Sequence, residues 1–320
     1  MKYFVTGGAG FIGSNLVDEL LARGNEVVIY DNLSTGFLDF LKKVQTSPDF
    51  TLIKGDCLDQ KALSSSMKGC DFVFHLAANA DVRFGLIHPR KDLEQNTIVT
   101  HNVLEAMRDN GIKNIAFSST GSIYGEPEVF PTPEDGSFPV QTSLYGASKL
   151  AAEGMIEAYC EGYGFKAWIF RFVSILGERY THGHVFDFYQ KLLKDPKKLY
   201  ILGDGHQKKS YLYVKDCIEA MLLAIEKAQD KVNIFNLGTD QYCEVNDSVK
   251  WITKKMGLDP ELTYSGGSRG WVGDSPFIFL DTSRIKSLGW VPSLKIEEAI
   301  IKTLEYLSGN IETIKKRENK

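Results

Sequence analysis

The sequence predicts an α/β protein, a doubly wound parallel sheet carrying a smaller mixed α/β domain. Three observations lead there. Short apolar runs alternate with amphipathic stretches through the first 174 residues, and a glycine-rich turn joins the first apolar run to the first helical one. Beyond residue 174 that alternation gives way to helical pieces and glycine-rich connectors. Strands alternating with helices build a parallel sheet covered on both faces. With 320 residues, 43% of them apolar, the chain can bury a full core as one large domain or two ordinary ones.

The elements follow in order. Residues 2–6 read as a buried strand, continued by Thr6-Gly7-Gly8-Ala9-Gly10-Phe11-Ile12-Gly13-Ser14 and the helical Leu16–Leu21. A second strand, Glu26–Tyr30, ends in Asp31. Gly7, Gly10 and Gly13 let the backbone approach a pyrophosphate at a helix N-terminus. Asp31 stands where an acid meets the ribose hydroxyls of NAD, so this unit is a Rossmann-type fingerprint. Thr51–Lys54 is a strand leading to Gly55-Asp56-Cys57, and residues 59–67 are helical. Asp71–His75 is a strand leading to Leu76-Ala77-Ala78-Asn79, followed by a long helix over 90–109. Lys113–Phe117 runs into Ser118-Ser119-Thr120, and Lys166–Arg171 into Phe172-Val173-Ser174. In such sheets ligands sit beyond the carboxyl ends of the strands, where all these short segments fall. Later come a helix opening at His182–Phe186, a turn at Leu202–Gly205, a helix over 214–227, a strand at Val232–Phe235 and the connector Ser265–Asp274. The domain reading is 1–174 with 211–237 for the cofactor, and 175–210 with 238–320 for a substrate held in the cleft between.

The chemistry centres on Ser143-Leu144-Tyr145-Gly146-Ala147-Ser148-Lys149, which opens a helix. Tyr145 and Lys149 are four residues apart and share one helical face. A free tyrosine is a weak base at neutral pH, and a neighbouring cation favours its phenolate. The pair therefore suits proton removal from an alcohol beside a redox cofactor. The same spacing recurs at Tyr211 and Lys215, so position downstream of the glycine turn, not spacing, singles out the first copy.

Composition narrows the class further. The formal net charge of -4 argues against a nucleic-acid binder. Five scattered cysteines without a Cys-x-x-Cys point to thiols in a reducing cytoplasm. The start in a strand leaves no room for a signal peptide, and no apolar run reaches the ~20 residues of a membrane span. The basic tail Lys315–Lys320 reads as a frayed end. His182 and His184 lack a third ligand and read as a polar loop, not a metal site.

Taken together, these motifs resemble the extended short-chain dehydrogenase/reductase family, in its nucleotide-sugar epimerase/dehydratase branch. The resemblance runs to about residue 305, and within the branch the chain looks most like the UDP-sugar 4-epimerases. It implies NAD as cofactor. Phe11 and Ile12 would lie against the pyrophosphate, Asp31 and Asn32 on the adenosine ribose, and Asp56 and Cys57 beside the adenine. Leu76, Ala77, Ala78, Asn79, Ser118 and Phe172 would line the cofactor path, supported by Asn96. Thr120 would bond the sugar hydroxyl being oxidised. Tyr145 would be the base, with Lys149 on the nicotinamide ribose and lowering the Tyr145 pKa. Ser174, Val185, Lys209, Arg269 and Asp274 fall where the family holds the nucleoside diphosphate.

Three positions depart from the family pattern. Ser174 stands for an Asn near the diphosphate, and Trp271 stands for an Arg, with Arg269 displaced by two. Ile278 replaces a bulkier pocket residue and leaves room for an N-acetyl group. The expected activity is a 4-epimerase using a transient 4-keto sugar, with UDP-glucose/UDP-galactose or their N-acetylated forms as substrates. Its rivals are another nucleotide-sugar epimerase, acting at a different carbon, a dehydratase or a decarboxylase of the branch, and a catalytically silent NAD sensor. The helix over 90–110 and the Tyr145 helix correspond to the family's homodimer surface.

Overall fold

The protein is described from a computed structural model covering residues 1–79, 83–137 and 140–311. The basic tail lies outside the described residues. The elements run β1 (Lys2–Thr6), α1 (Phe11–Ala22), β2 (Glu26–Asp31), β3 (Phe50–Lys54), α2 (Gln60–Ser66), β4 (Phe72–His75), α3 (Phe84–Ile87), α4 (Pro89–Asp92), a π-helical turn (Leu93–Ile98) and α5 (Val99–Asp109). They continue with β5 (Asn114–Thr120), α6 (Leu144–Tyr163), β6 (Lys166–Phe172), β7 (Ser174–Leu176), α7 (His184–Lys194), β8 (Lys198–Ile201), β9 (Lys208–Lys209), β10 (Tyr211–Tyr213), α8 (Val214–Lys227) and β11 (Val232–Leu237). The last part holds β12 (Cys243–Glu244), α9 (Val245–Met256), β13 (Glu261–Tyr264), β14 (Phe277–Ile278), α10 (Ser283–Ser287) and α11 (Ile296–Gly309).

Seven strands form the central sheet in the order β11-β6-β5-β4-β1-β2-β3, every neighbouring pair parallel. β1 pairs with β2 from Lys2↔Glu26 to Thr6↔Tyr30, and with β4 from Tyr3↔Phe72 to Thr6↔His75. The strand order reverses between β1 and β4, which makes their carboxyl ends the switch-point crevice. Buried Phe4, Val5, Ile29, Val73 and Phe74 give these strands the continuous apolar runs that a sheet covered on both faces requires. Smaller sheets stand apart: β10 with β7, β12-β9-β14, and β13 with β8.

The helix expected over 90–109 forms as α4, the π-helical turn and α5 in succession. Ser143 caps α6 by accepting from Gly146 N at 3.0 Å, and Gly164 in a left-handed conformation ends it. Among the described residues, no helix is long and apolar enough to cross a membrane.

Candidate active site

A cleft of about 800 Å³ opens at the carboxyl ends of the central strands. Its floor is the glycine turn. Gly7 has φ +70°, and a Cβ there would lie 2.8 Å from Ala77 N, so only glycine lets β1 and β4 end side by side. A Cβ on Gly13 would overlap the Gly7 carbonyl. Gly10 lies on the cleft wall, where a Cβ would meet only Gly7 O at 3.2 Å. The first amides of α1 carry no side-chain cap, leaving a ready seat for an anion.

Asp31 is buried on the cleft wall. Its carboxylate accepts from Ala9 N at 2.9 Å and Leu33 N at 2.7 Å, which locks β2 to the turn. Asn32 Nδ2 donates to Asp56 Oδ2 at 3.1 Å, and Asn102 Nδ2 holds the Cys57 carbonyl at 3.0 Å. Behind the wall, His75 is fully buried between Thr6 Oγ1 (2.8 Å) and Thr100 Oγ1 (3.0 Å). Burial pushes its pKa down to about 3, so it is a neutral strut. Thr6 Oγ1 also accepts from the amides of Leu76 and Ala77, each at 3.2 Å.

Asn96 lies in the π-helical turn, off the cleft wall, a type of turn frequent at functional sites. Its Oδ1 accepts from Asn79 N at 2.9 Å, its Nδ2 donates to Ser148 Oγ at 2.9 Å, and Ser148 Oγ donates to Tyr145 O at 2.8 Å. It therefore ties the Leu76–Asn79 segment to the start of α6.

Tyr145, Lys149 and Thr120 meet at the cleft with Ser118, Ser122 and Phe172. The Lys149 ammonium donates to Ser118 O at 2.7 Å and lies 4.5 Å from the Phe117 ring centroid. Burial lowers its pKa to about 7, against the opposing pull of Glu153. One expectation is corrected here. Tyr145 is not lowered by Lys149; burial pushes it up to about 12, with a hydrogen bond to Thr120 acting the other way and the Asp92 charge adding to the rise. Lys149 is engaged with Ser118, and burial, which the spacing does not report, decides the sign. Thr120 Oγ1 donates to Ser122 Oγ at 3.2 Å and accepts from Ser122 N at 3.1 Å. The copy at Tyr211 and Lys215 has no shared face, since Tyr211 is on β10 and Lys215 on α8.

A buried ion network braces this region. Arg171 and Glu153 are 2% and 1% exposed and bonded at 2.8 Å, and Ser119 Oγ donates to Glu153 Oε1. Arg171 Nη1 donates to Tyr124 OH and Glu134 O, each at 2.7 Å.

The substrate end departs more from expectation. Ser174, Lys209 and Asp274 are on the cleft wall, whereas Val185 and Arg269 are not. The Val185 side chain is fully buried in the core, so only its backbone, in the first turn of α7, is placed to meet a ligand. Arg269 is turned to the Glu126 carboxylate, and Lys209 pairs with Asp274 at 2.7 Å. Trp271 lies between two cations, with Arg83 and Lys209 at 6.0 and 5.9 Å from its ring. Sequence reasoning missed the cleft residues Arg83, Gln95, Tyr180, Gln190, Lys191 and Lys194. Several stand with His184 and Asp187 at helical spacing on one face of α7, a signal that was present in the sequence. Among the described residues, no group of three could hold a metal ion.

A parallel sheet with a glycine turn, a buried acid ending the second strand and a Tyr-Lys pair in one cleft defines a dinucleotide-dependent enzyme. Residues 3–238 match the model of the NAD dependent epimerase/dehydratase family, and the chain belongs to it. It is 34% identical to a putative UDP-glucose 4-epimerase of Methanocaldococcus jannaschii, over 97% of this chain and 99% of that protein. The UDP-glucose 4-epimerase of Thermotoga maritima, solved with UDP-glucose, superposes with a TM-score of 0.87 at 34% identity, covering 97% of this chain and 100% of that one. The UDP-glucose 4-epimerase of Thermus thermophilus, solved in complex with NAD, gives 0.85 at 32% identity, covering 97% and 100%. The site fits NAD: Gly10 opens the turn to a pyrophosphate and buried Asp31 stands at the end of β2. NAD is the cofactor of this protein.

Proposed function

We propose that this protein is an NAD-dependent nucleotide-sugar 4-epimerase acting on UDP-sugars, UDP-glucose/UDP-galactose first and the N-acetylated pair second. The observation that carries this reading is the identity of the two residues after Thr120. A dehydration or decarboxylation route needs a further acid or base beside the 4-keto sugar. Here Gly121 and Ser122 occupy that place, and neither exchanges a proton near neutral pH. The nearest carboxylate downstream, Glu126, is engaged by Arg269. That leaves epimerisation, and the similarity to UDP-glucose 4-epimerases favours carbon 4.

In this reading bound NAD supplies reversible oxidation at carbon 4. Tyr145 takes the proton of the 4-hydroxyl and returns it after the sugar has turned over. Thr120 orients that hydroxyl. Lys149 bonds the cofactor ribose. Gly7, Gly10 and Gly13 shape the pyrophosphate seat, with Phe11 and Ile12 against it. Lys209 and the first turn of α7 take the diphosphate. Asp274 positions Lys209, and Arg83 supplies a further cation. Ile278, beside Gly121, leaves space for an N-acetyl group.

Residues 1–174 with 211–237 serve as the NAD module, and 175–210 with 238–320 as the nucleotide-sugar module. A homodimer in the cytoplasm completes the proposal. Its support is the exposed apolar set Leu86, Ile87, Leu93, Ile98 and Leu144, carried by α3, the π-helical turn and α6. The test is to incubate the protein with UDP-glucose and UDP-N-acetylglucosamine and read product mass and carbon-4 configuration. Equal mass with inversion supports the reading; loss of water or carbon dioxide contradicts it.

A further inference from the structure

His184 lines the cleft as the first residue of α7 and has no part in the chemistry above. Its Nδ1 is 2.9 Å from the Tyr211 hydroxyl, and its ring packs on Phe188 with centroids 5.6 Å apart. Tyr211 is deeply buried and its phenol is held far above its ordinary range, so it remains protonated. Its oxygen also lies 3.4 Å from Nε2, and a single hydroxyl engages only one ring nitrogen, which leaves the other for a ligand.

The surroundings hold this ring neutral while the cleft is empty. Burial is the largest cause, and the charge of Lys209 on β9 adds to it, bringing the His184 pKa down to about 3. The α7 N-terminus also disfavours a cation at its first residue. The other charged or titratable groups on this wall, among the described residues, are Tyr180 and His182 in the preceding loop, and Asp187, Lys191 and Lys194 on α7. Asp187 is paired with Arg83 at 3.3 Å, and Asp274 with Lys209 at 2.7 Å. A diphosphate placed here would offset the Lys209 charge and favour an imidazolium by direct hydrogen bonding.

We propose that His184 binds the diphosphate of the nucleotide sugar and takes up a proton as it does so. This rests on the nucleotide-sugar reading above. The proton comes from solvent, and the doubly protonated ring donates from both nitrogens, one to the Tyr211 oxygen and the other to a phosphate oxygen. The bound-state pKa then exceeds the free-state value. Affinity is greatest below the free-state pKa, falls by up to about tenfold per pH unit between the free-state and bound-state values, and levels off above the bound-state pKa.

The test is titration calorimetry of the NAD-loaded protein with UDP-glucose, whose diphosphate diester has no titration of its own near neutrality. It is run in two buffers of different ionisation enthalpy and from pH 6 to 8.5, with wild type and His184→Gln. NAD content and melting temperature confirm that the variant is folded. Wild type is expected to show buffer-dependent heat and a Kd that rises with pH; His184→Gln is expected to show neither. Binding with buffer-independent heat in wild type, or proton uptake retained in the variant, overturns the inference while leaving the nucleotide-sugar reading intact. No binding of UDP-glucose at any pH overturns that reading and this inference with it.

Discussion

Removing Arg171 tests the brace under the catalytic residues. The guanidinium makes three contacts with the Glu153 carboxylate, at 2.8, 3.2 and 3.2 Å, and two more with Tyr124 and Glu134. In Arg171→Met the Glu153 carboxylate keeps the Ser119 hydroxyl but loses its counter-ion. Breaking a buried pair from one side costs about 3–5 kcal/mol, because an uncompensated charge stays buried. At about 2–4 °C per kcal/mol for a large domain, the melting temperature should fall by roughly 6–20 °C. Replacing both partners by apolar residues is often neutral, so Arg171→Met with Glu153→Leu should recover most of that loss. Thermal and urea unfolding of wild type, Arg171→Met, Glu153→Leu and the double variant measure the cycle. A loss below about 1 kcal/mol in the single variant, or no recovery in the double, would refute the account of this network.

Three further outcomes are expected. Tyr145→Phe should keep NAD and the fold but lose at least ~100-fold in turnover, the low end for a placed acid-base group; activity within a few-fold of wild type removes Tyr145 from the mechanism. NAD should bind in preference to NADP, because buried Asp31 accepts from a 2'-hydroxyl and repels a 2'-phosphate; equal affinities by calorimetry contradict this. In cofactor-stripped protein, burial holds the folded-state pKa of Lys149 near 7, below its unfolded value, so the folded state sheds a proton that the unfolded chain retains above that pH. Wild type should therefore gain stability relative to Lys149→Met as pH rises from 7 to 10, and a constant difference across that range counts against the burial argument.

The sheet and the cofactor turn were legible because their causes are local. Apolar runs set the strands, Gly7 and Gly13 sit where a Cβ would strike neighbouring backbone, and Asp31 ends a strand. The substrate end was less legible because its determinants are distant in the chain. Lys209 meets Asp274 across 65 residues and Arg269 meets Glu126 across 143, so no local pattern tells a free cation from a paired one. Val185 follows the helix start correctly, yet tertiary packing turns its side chain into the core. Helical spacing puts Lys191 and Lys194 on one face of α7 with His184 and Asp187, but does not tell that this face meets the cleft. The Tyr145 phenol was misjudged because spacing gives proximity to Lys149 and not the burial that outweighs it.

The central claim is that carbon 4 is oxidised and then reduced again within one active site, with Tyr145 moving the hydroxyl proton. UDP-glucose deuterated at carbon 4 tests this directly, with the product analysed by NMR and mass spectrometry. The account predicts UDP-galactose of unchanged mass with deuterium retained at carbon 4. Loss of the label to solvent, or a product lighter by water or carbon dioxide, would contradict it.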